Sequence, residues 1–221
     1  MARPSYQRAA QPLPEALPPG ERTVGQLVAE SIRFYGNRFW AVAPLGLSFV
    51  LLDGVSFGRS VQTQTLLLWA CGPVLSAAYV RACVLVAPAA PPRRALVSAF
   101  VAALIVFLPF PVLLRLYVLP GVAWFGLVGL AVPAAVIERL GTADALRRGW
   151  TLGRADIVHA IGGIATLALV YGVCRYALLV LLHTQSDQTE AVAVVLADLV
   201  LSPLLFVGAA LLYVDQAARV E

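Results

Sequence analysis

The longest apolar stretch of the sequence, from Ala95 to Ile137, constrains the fold more than any other feature. It holds 43 residues and a single charge, Arg115. A continuous helix of this length would reach about 64 Å, whereas the hydrocarbon core of a bilayer is ~30 Å thick. The stretch therefore predicts two consecutive membrane spans. Their turn is expected between Arg115 and Gly121, where Pro120 and Gly121 form a breaker.

The composition also indicates that lipid surrounds most of the chain. Hydrophobic residues make up 60% of the 221 residues and charged residues only 13%, and the mean hydropathy is +0.84. A soluble domain normally has about a quarter charged residues. Because a helix satisfies its backbone hydrogen bonds internally, lipid as the solvent predicts an all-α membrane protein.

Six segments are apolar and long enough to span a bilayer. A polar turn at residues 58–62, a proline-rich run at residues 88–94 and a polar loop at residues 183–190 separate several of them. Pro109 and Pro111 are expected to kink the third span, and Pro133 the fourth. The predicted spans are residues 39–57, 65–87, 95–114, 121–137, 157–182 and 191–213.

Two further segments, residues 23–38 and 142–152, have apolar residues at helical spacing and precede a span. Thr23 and Gln26 make a capping box at the start of the first. Both are predicted to be amphipathic helices in the cytosolic interface; the alternative is a plain extension of the following span. The segments align without gaps at an offset of 118 residues, which suggests a repeated unit of an amphipathic helix followed by a hairpin.

The N-terminal residues 1–22 contain five prolines and no apolar core of a signal peptide. They are predicted to form a disordered, proline-rich cytosolic tail, which leaves residues 23–221 as a single membrane domain. No cofactor and no metal site are predicted, because the three cysteines lack CxxC spacing and the two histidines lie at opposite ends of the fifth predicted span.

The distribution of arginines predicts the orientation. Arg59 and Arg115 fall on one side of the six predicted spans and Arg175 within the fifth, whereas nearly all the others fall on the opposite side. The positive-inside rule then predicts a plasma-membrane protein with both termini in the cytosol. The arginines form no single patch, so nucleic acid is not an expected partner. The expected partners are the lipid bilayer with its anionic headgroups, and a further membrane protein or a second copy of the chain.

Besides Arg81, which is near the cytosolic end of the second predicted span, three charges lie within predicted spans, and each costs about 2.5–3.5 kcal/mol on insertion scales. These residues, Asp53, Arg175 and Asp198, fall at comparable depth in the outer half, where Arg115 begins the external turn. Arg175 is predicted to pair with Asp198. Asp53 and Arg115 would complete a polar cluster lining a cavity for a lipid headgroup or small polar solute; the alternative is an ion pair that only orients the spans.

A second set of charges is expected at the cytosolic face. Glu138 can pair with Arg81 or with the second amphipathic helix, and that helix can present its arginines to anionic lipid. The members of this predicted cluster are Arg81, Glu138, Arg147, Arg148 and Asp215.

Four stretches carry a family resemblance: residues 133–154 (PAAVIERLGTADALRRGWTLGR), the opening residues 23–35, the turn at 119–121 and the closing residues 212–215. They resemble the glycerophosphoryl diester phosphodiesterase membrane-domain proteins. The resemblance implies a polytopic membrane module that is sometimes fused to a soluble phosphodiesterase. This chain lacks that catalytic domain, and Gly149 stands where the family usually has serine.

No catalytic motif is recognisable in the sequence. The sequence therefore predicts a non-enzymatic multi-pass membrane protein that interacts with lipid or with a partner. The alternative is a small transporter or permease with an outer-leaflet polar site.

Overall fold

The computed structural model describes residues 17–184 and 187–220, and within these residues the fold is all-α, as predicted. A 3-10 turn at Ala43–Gly46 joins the second and third helices. The helices are α1 (Val24–Asn37), α2 (Phe39–Val42), α3 (Leu47–Ser56), α4 (Val61–Ala70), α5 (Gly72–Val86), α6 (Arg93–Phe107), α7 (Phe110–Leu116), α8 (Val118–Val128), α9 (Ala131–Ile137), α10 (Thr142–Ala155), α11 (Ile157–Leu182), α12 (Asp187–Leu201) and α13 (Pro203–Val220).

Five helical stretches are long and apolar enough to cross a membrane, and α4 with α5 supplies a sixth if this pair, bent by 49°, counts as one span. This agrees with a multi-pass membrane protein. Most observed stretches begin or end a few residues outside the predicted bounds. The five stretches are Phe39–Ser56, Arg93–Leu116, Val118–Ile137, Ile157–Leu182 and Gln188–Val220.

The break between the third and fourth spans lies at Tyr117, whose backbone is extended with φ −167° and ψ 162°. The prediction that Pro120 and Gly121 form the breaker is therefore wrong. Both lie in the first turn of α8, which begins at Val118. Backbone N–H groups in a first helical turn have no intrahelical acceptor, so a proline there removes no hydrogen bond.

Prolines interrupt two of the spans. The predicted kink in the third span is confirmed, because the helix stops at Phe107 and resumes at Phe110, with Pro109 between them. In the fourth span the interruption falls at Gly129 and Leu130, one turn before Pro133. Pro133 has no N–H to donate to the carbonyl four residues earlier, which explains why the break precedes the proline.

The last span is longer than predicted at both ends. Helix α12 begins at Asp187, so half of the predicted polar loop at residues 183–190 is helical. Residues Gln188–Val220 form a stretch of 33 residues, equivalent to about 50 Å of helix. That exceeds the thickness of the hydrocarbon core. The stretch, whose C-terminal turns contain Asp215 and Arg219, is therefore too long to lie wholly within the hydrocarbon core.

The two predicted amphipathic segments are helices of 14 residues each, α1 and α10, and the Thr23–Gln26 capping box is present. Both helices pack against the bundle, α1 on α11 and α13, and α10 on α8 and α9. Their buried faces keep the offset of 118 residues, which supports the predicted repeat. The buried pairs at this offset are Leu27 with Ala145, Ser31 with Gly149 and Tyr35 with Gly153.

Glycines allow α10 to approach the fourth span closely. A Cβ on Gly153 would lie 2.7 Å from the carbonyl oxygen of Leu127, and one on Gly149 would overlap the backbone of Ala131. Small residues that let helix backbones approach are a common device at helix contacts in membranes. Gly149 therefore has a packing role.

The predicted disordered tail at residues 1–22 needs correction at its end, while residues 1–16 lie outside the described part of the chain. Residues 19–21 form a turn, and the following Arg22 contacts Asp215 of α13. Gly20 has φ +94°, a conformation that favours glycine, and its Cα faces Ala218 so closely that a Cβ would lie 3.2 Å from the Ala218 carbonyl oxygen. The ordered domain therefore begins before Thr23.

Candidate functional site

The helices α3, α11 and α12 bring three of the four residues predicted for the outer cluster together. Arg175 on α11 forms an ion pair with Asp53 on α3. Its Nε also lies 3.7 Å from Oδ1 of Asp198 on α12. A single guanidinium therefore bridges two carboxylates from two other helices, rather than pairing with Asp198 alone.

Tyr171 is the fourth member of this cluster. Its hydroxyl donates to Asp198 Oδ1 at 2.5 Å and accepts from Arg175 Nη1 at 3.2 Å. Sequence reasoning missed Tyr171, although its position four residues before Arg175 places both side chains on one face of a helix. The group of Asp53, Tyr171, Arg175 and Asp198 is called the outer cluster below.

The outer cluster is incompletely satisfied. The Asp198 side chain is buried, whereas those of Arg175 and Asp53 are 30% and 33% exposed. Asp198 Oδ2 and Arg175 Nε have no hydrogen-bond partner. With one guanidinium and two carboxylates, the cluster has a formal charge of −1. It therefore offers one buried acceptor and one buried donor to a further polar group.

Arg115 is not part of this arrangement. Its Nε donates to Thr65 Oγ1 at 3.0 Å and so ties α7 to α4. Nearby, the Trp69 indole donates to the carbonyl of Leu108 at 2.8 Å. The prediction that Arg115 completes the polar cluster is therefore wrong. It rested only on the depth of Arg115 in the membrane, and depth does not specify which neighbouring helix a side chain faces.

On the predicted cytosolic side, Glu138 contacts the second amphipathic helix and not Arg81. Arg148 Nε donates to Glu138 Oε1 at 2.9 Å, and the hydroxyl of Tyr213 donates to the same oxygen. The hydrogen bond to Glu138 raises the pKa of the Arg148 guanidinium above its ordinary value. Glu138 therefore fixes α10 to the end of the fourth span and to α13.

Asp215 is buried in a separate network that sequence reasoning did not predict. Arg22 Nη1 donates to Asp215 Oδ1 at 3.1 Å. Arg219, one turn further along α13, contacts Asp156 Oδ2 at 3.3 Å and donates to the Arg22 carbonyl at 2.6 Å. Asp156 is also the N-cap of α11, accepting from the backbone of His159. The signal available in the sequence was an aspartate immediately before an apolar helix.

No family model, curated protein or solved structure matches the chain. The resemblance to the phosphodiesterase membrane-domain proteins therefore stays a prediction, and the functional argument rests on the geometry. No group of three or more His, Cys, Asp or Glu side chains that could hold a metal ion occurs in the part of the chain that the structure describes.

Several arginines on the predicted cytosolic side are exposed. Unlike Arg148, they have no acidic side chain in contact with them within residues 17–184 and 187–220. They lie at the start of α6, after α9 and on α10, and a hydrogen bond from Thr142 Oγ1 to the Ser98 carbonyl, at 3.4 Å, joins α10 to α6. This set is called the basic edge and consists of Arg93, Arg94, Arg139 and Arg147.

Proposed function

We propose that the chain is a non-enzymatic multi-pass membrane module that gathers anionic lipids of the cytosolic leaflet. The observation that carries this proposal is the basic edge, four exposed arginines that form no ion pair with a carboxylate in the part of the chain that the structure describes. The exposed Asp144 in the first turn of α10 forms no ion pair with them among the described residues. In this proposal the basic edge faces the cytosol of a plasma membrane, with both termini on that side.

Electrostatics favours lipid over a soluble anion as the ligand. Each arginine near an anionic membrane surface contributes about 1 kcal/mol to binding. Arg93, Arg94 and Arg139 lie at the ends of apolar helices, where lipid headgroups are found, and Arg147 lies on the amphipathic helix α10. Several arginines that each bind weakly are suited to anionic lipids that exchange around the protein. A single soluble ligand instead needs an enclosed site with convergent polar groups.

A non-enzymatic role is supported by how the remaining polar groups are used. Glu138 accepts from Tyr213 and Arg148, and Asp215 is held by Arg22. These contacts connect helices to one another. A catalytic acid or base must instead reach the proton that it transfers in a substrate.

The experiment reconstitutes the full chain in phosphatidylcholine vesicles with spin-labelled phosphatidylglycerol or phosphatidylcholine, and measures the fraction of motionally restricted label. The wild type is expected to select phosphatidylglycerol. A variant in which all four residues of the basic edge are replaced by glutamine should lose most of this selectivity. Salt at ~1 M, where the Debye length is about 3 Å, should abolish the selectivity of the wild type.

Arg59→Gln is the control, because Arg59 is an exposed arginine in the loop on the opposite side of the bundle. This variant should keep the selectivity of the wild type. Equal phosphatidylglycerol selectivity in the wild type and the four-residue variant would rule out the proposed function.

A second candidate function is transport of a small polar solute, and one observation favours it. The outer cluster contains a buried carboxylate oxygen, Asp198 Oδ2, without a hydrogen-bond partner. Charged side chains inside a membrane often mark solute or ion pathways. Solute flux into proteoliposomes that is lost in Asp198→Asn would support transport, and a panel of small polar solutes that shows no protein-dependent flux would oppose it.

A further inference from the structure

A groove runs along the outside of the bundle between the first span and α5. It has a volume of about 810 Å³ and is open to the surrounding medium on one side. Its walls come from α2, the 3-10 turn and α3 on one side and from α5 on the other. The apolar residues that form most of its length include Trp40, Leu47, Leu51, Val74 and Ala77.

Arg81 is the charged residue among those that line the groove. It is exposed, and no carboxylate contacts it in the described part of the chain. It lies five residues before the end of α5 at Val86, or about 7 Å along the helix axis. An arginine side chain can extend over that distance to the membrane interface while its stem stays among apolar groups.

The last span contains a position that resembles Arg81 and that has a charged partner. Tyr79-Val80-Arg81 in α5 parallels Tyr213-Val214-Asp215 in α13. Asp215 is buried and bound by Arg22 from the segment before α1. No segment within residues 17–184 and 187–220 covers Arg81 in this way, so its guanidinium has no anionic partner among these residues.

The inner end of the groove also has features of a lipid interface. Trp40 is 87% exposed there, and tryptophan is enriched at the boundary between hydrocarbon and headgroups. Arg38 donates to the carbonyl of Leu85 at 2.6 Å and so closes the end of α5. The groove is therefore lined by apolar residues, by an interfacial aromatic residue and by one cation, Arg81, near the end expected to face the cytosol.

We infer that this groove is a specific site for one anionic phospholipid of the cytosolic leaflet, with an acyl chain between α3 and α5 and its phosphate on Arg81. The site is separate from the basic edge, which lies at the start of α6, after α9 and on α10. The inference shares with the proposed function the assignment of this side to the cytosol. An ammonium-bearing ligand would leave Arg81 unpaired, and a zwitterionic lipid would place a second cation beside it.

Native mass spectrometry of the full chain, released from a mild detergent, tests the inference. Phosphatidylglycerol and phosphatidylcholine with identical chains are added separately to delipidated protein. The wild type should retain one phosphatidylglycerol molecule in preference to phosphatidylcholine. Arg81→Gln should weaken phosphatidylglycerol binding about tenfold, because it removes a charge-assisted hydrogen bond. The matched control Arg59→Gln should bind as the wild type does.

A second variant tests the apolar part of the groove and leaves the arginine in place. Ala77 is exposed on α5 and lines the groove, so Ala77→Phe should fill it and weaken the binding of both lipids. Equal retention of phosphatidylglycerol by wild type and Arg81→Gln would overturn the inference. So would a protein dimer, sensitive to Ala77→Phe, in place of the lipid adduct, since a second copy would then occupy the groove.

The same variants separate this inference from the proposed function. If the groove is wrong and the basic edge is right, Arg81→Gln will retain its lipid while the four-residue variant loses its selectivity for phosphatidylglycerol in vesicles. If the groove is right and the basic edge is wrong, the four-residue variant will keep that selectivity and Arg81→Gln will still lose its bound lipid.

Discussion

Arg175 connects the three helices that form the outer cluster. It holds α11 against α3 through Asp53 and against α12 through Asp198. Placing charges in hydrocarbon is costly, and this cost falls when they are paired. The outer cluster contains one more acidic than basic residue, and Tyr171 donates to Asp198 and so reduces its need for a second guanidinium.

Arg175→Gln is expected to destabilise the protein on the order of 2 kcal/mol, since it leaves two carboxylates close together without a counter-charge. Adding Asp53→Asn and Asp198→Asn to this variant should recover part of the loss, because no unpaired charge then remains. Thermal unfolding in detergent measures both effects.

Exchanging Arg175 and Asp198 is expected to be poorly tolerated, in contrast to the behaviour of an isolated ion pair. The exchange would place an aspartate at position 175 beside Asp53. If the exchanged protein unfolds at the temperature of the wild type, Asp53 does not contribute to the ion-pair network.

Prediction from the sequence was strongest for residues whose environment depends on their depth in the membrane. It was weakest for residues whose partner depends on the rotation of a helix about its own axis. Asp53, Arg175 and Asp198 were placed at one level from their distance to the helix ends. The contact of Arg115 with Thr65 depends on which face of α7 meets α4. The ion pair between Arg22 and Asp215 joins residues 193 positions apart, and no local pattern predicts it.

At the level of single elements, α1 and α10 are the clearest case of a pattern that the sequence revealed. Their apolar spacing predicted two amphipathic helices, and both occur with equal length and with buried positions at the same offset. What the pattern could not show is the surface they cover. The centre of each stripe packs against the bundle, and in α10 Gly149 and Gly153 let the helix backbones come close.

Gly149→Val is expected to destabilise the protein by about 2 kcal/mol or more, because the side chain would overlap the backbone of Ala131. Gly36→Ala in α1 is the matched control, since no atom lies within 4 Å of its added Cβ. It should leave stability unchanged or raise it by up to about 1 kcal/mol. Thermal unfolding compares the two. A Gly149→Val protein as stable as the wild type would show that α10 does not pack closely on α9.

The breaks in the spans were also only partly predictable. Prolines 109 and 111 interrupt the third span as expected, because a proline inside a helix removes a backbone hydrogen bond. Pro120 does not, because it lies in a first turn. The presence of a proline does not show whether it interrupts a helix or lies in the first turn of one. For Pro120, the extended backbone of Tyr117 determines that a new helix begins there.

At the level of the whole molecule, charge and hydropathy agree on the arrangement of the bundle. The ends that carry Arg93, Arg94 and Arg139 are on the same side as the network of Arg22, Asp156 and Arg219, if the helices cross the membrane in alternate directions. Arg59, in the short loop before α4, is then on the other side. Both lipid sites proposed above require the arginine-rich side to face the cytosol.

The most direct test of this account is a cysteine-accessibility measurement in intact cells. Cys71, Cys83 and Cys174 are first replaced by alanine, and single cysteines are then introduced at exposed positions in place of Arg59, Thr184, Ala89 or Ala143. A membrane-impermeant maleimide should label positions 59 and 184 at once, and positions 89 and 143 only after the cells are permeabilised. Labelling of 89 and 143 in intact cells, with 59 and 184 protected, would contradict the orientation and both proposed lipid sites with it.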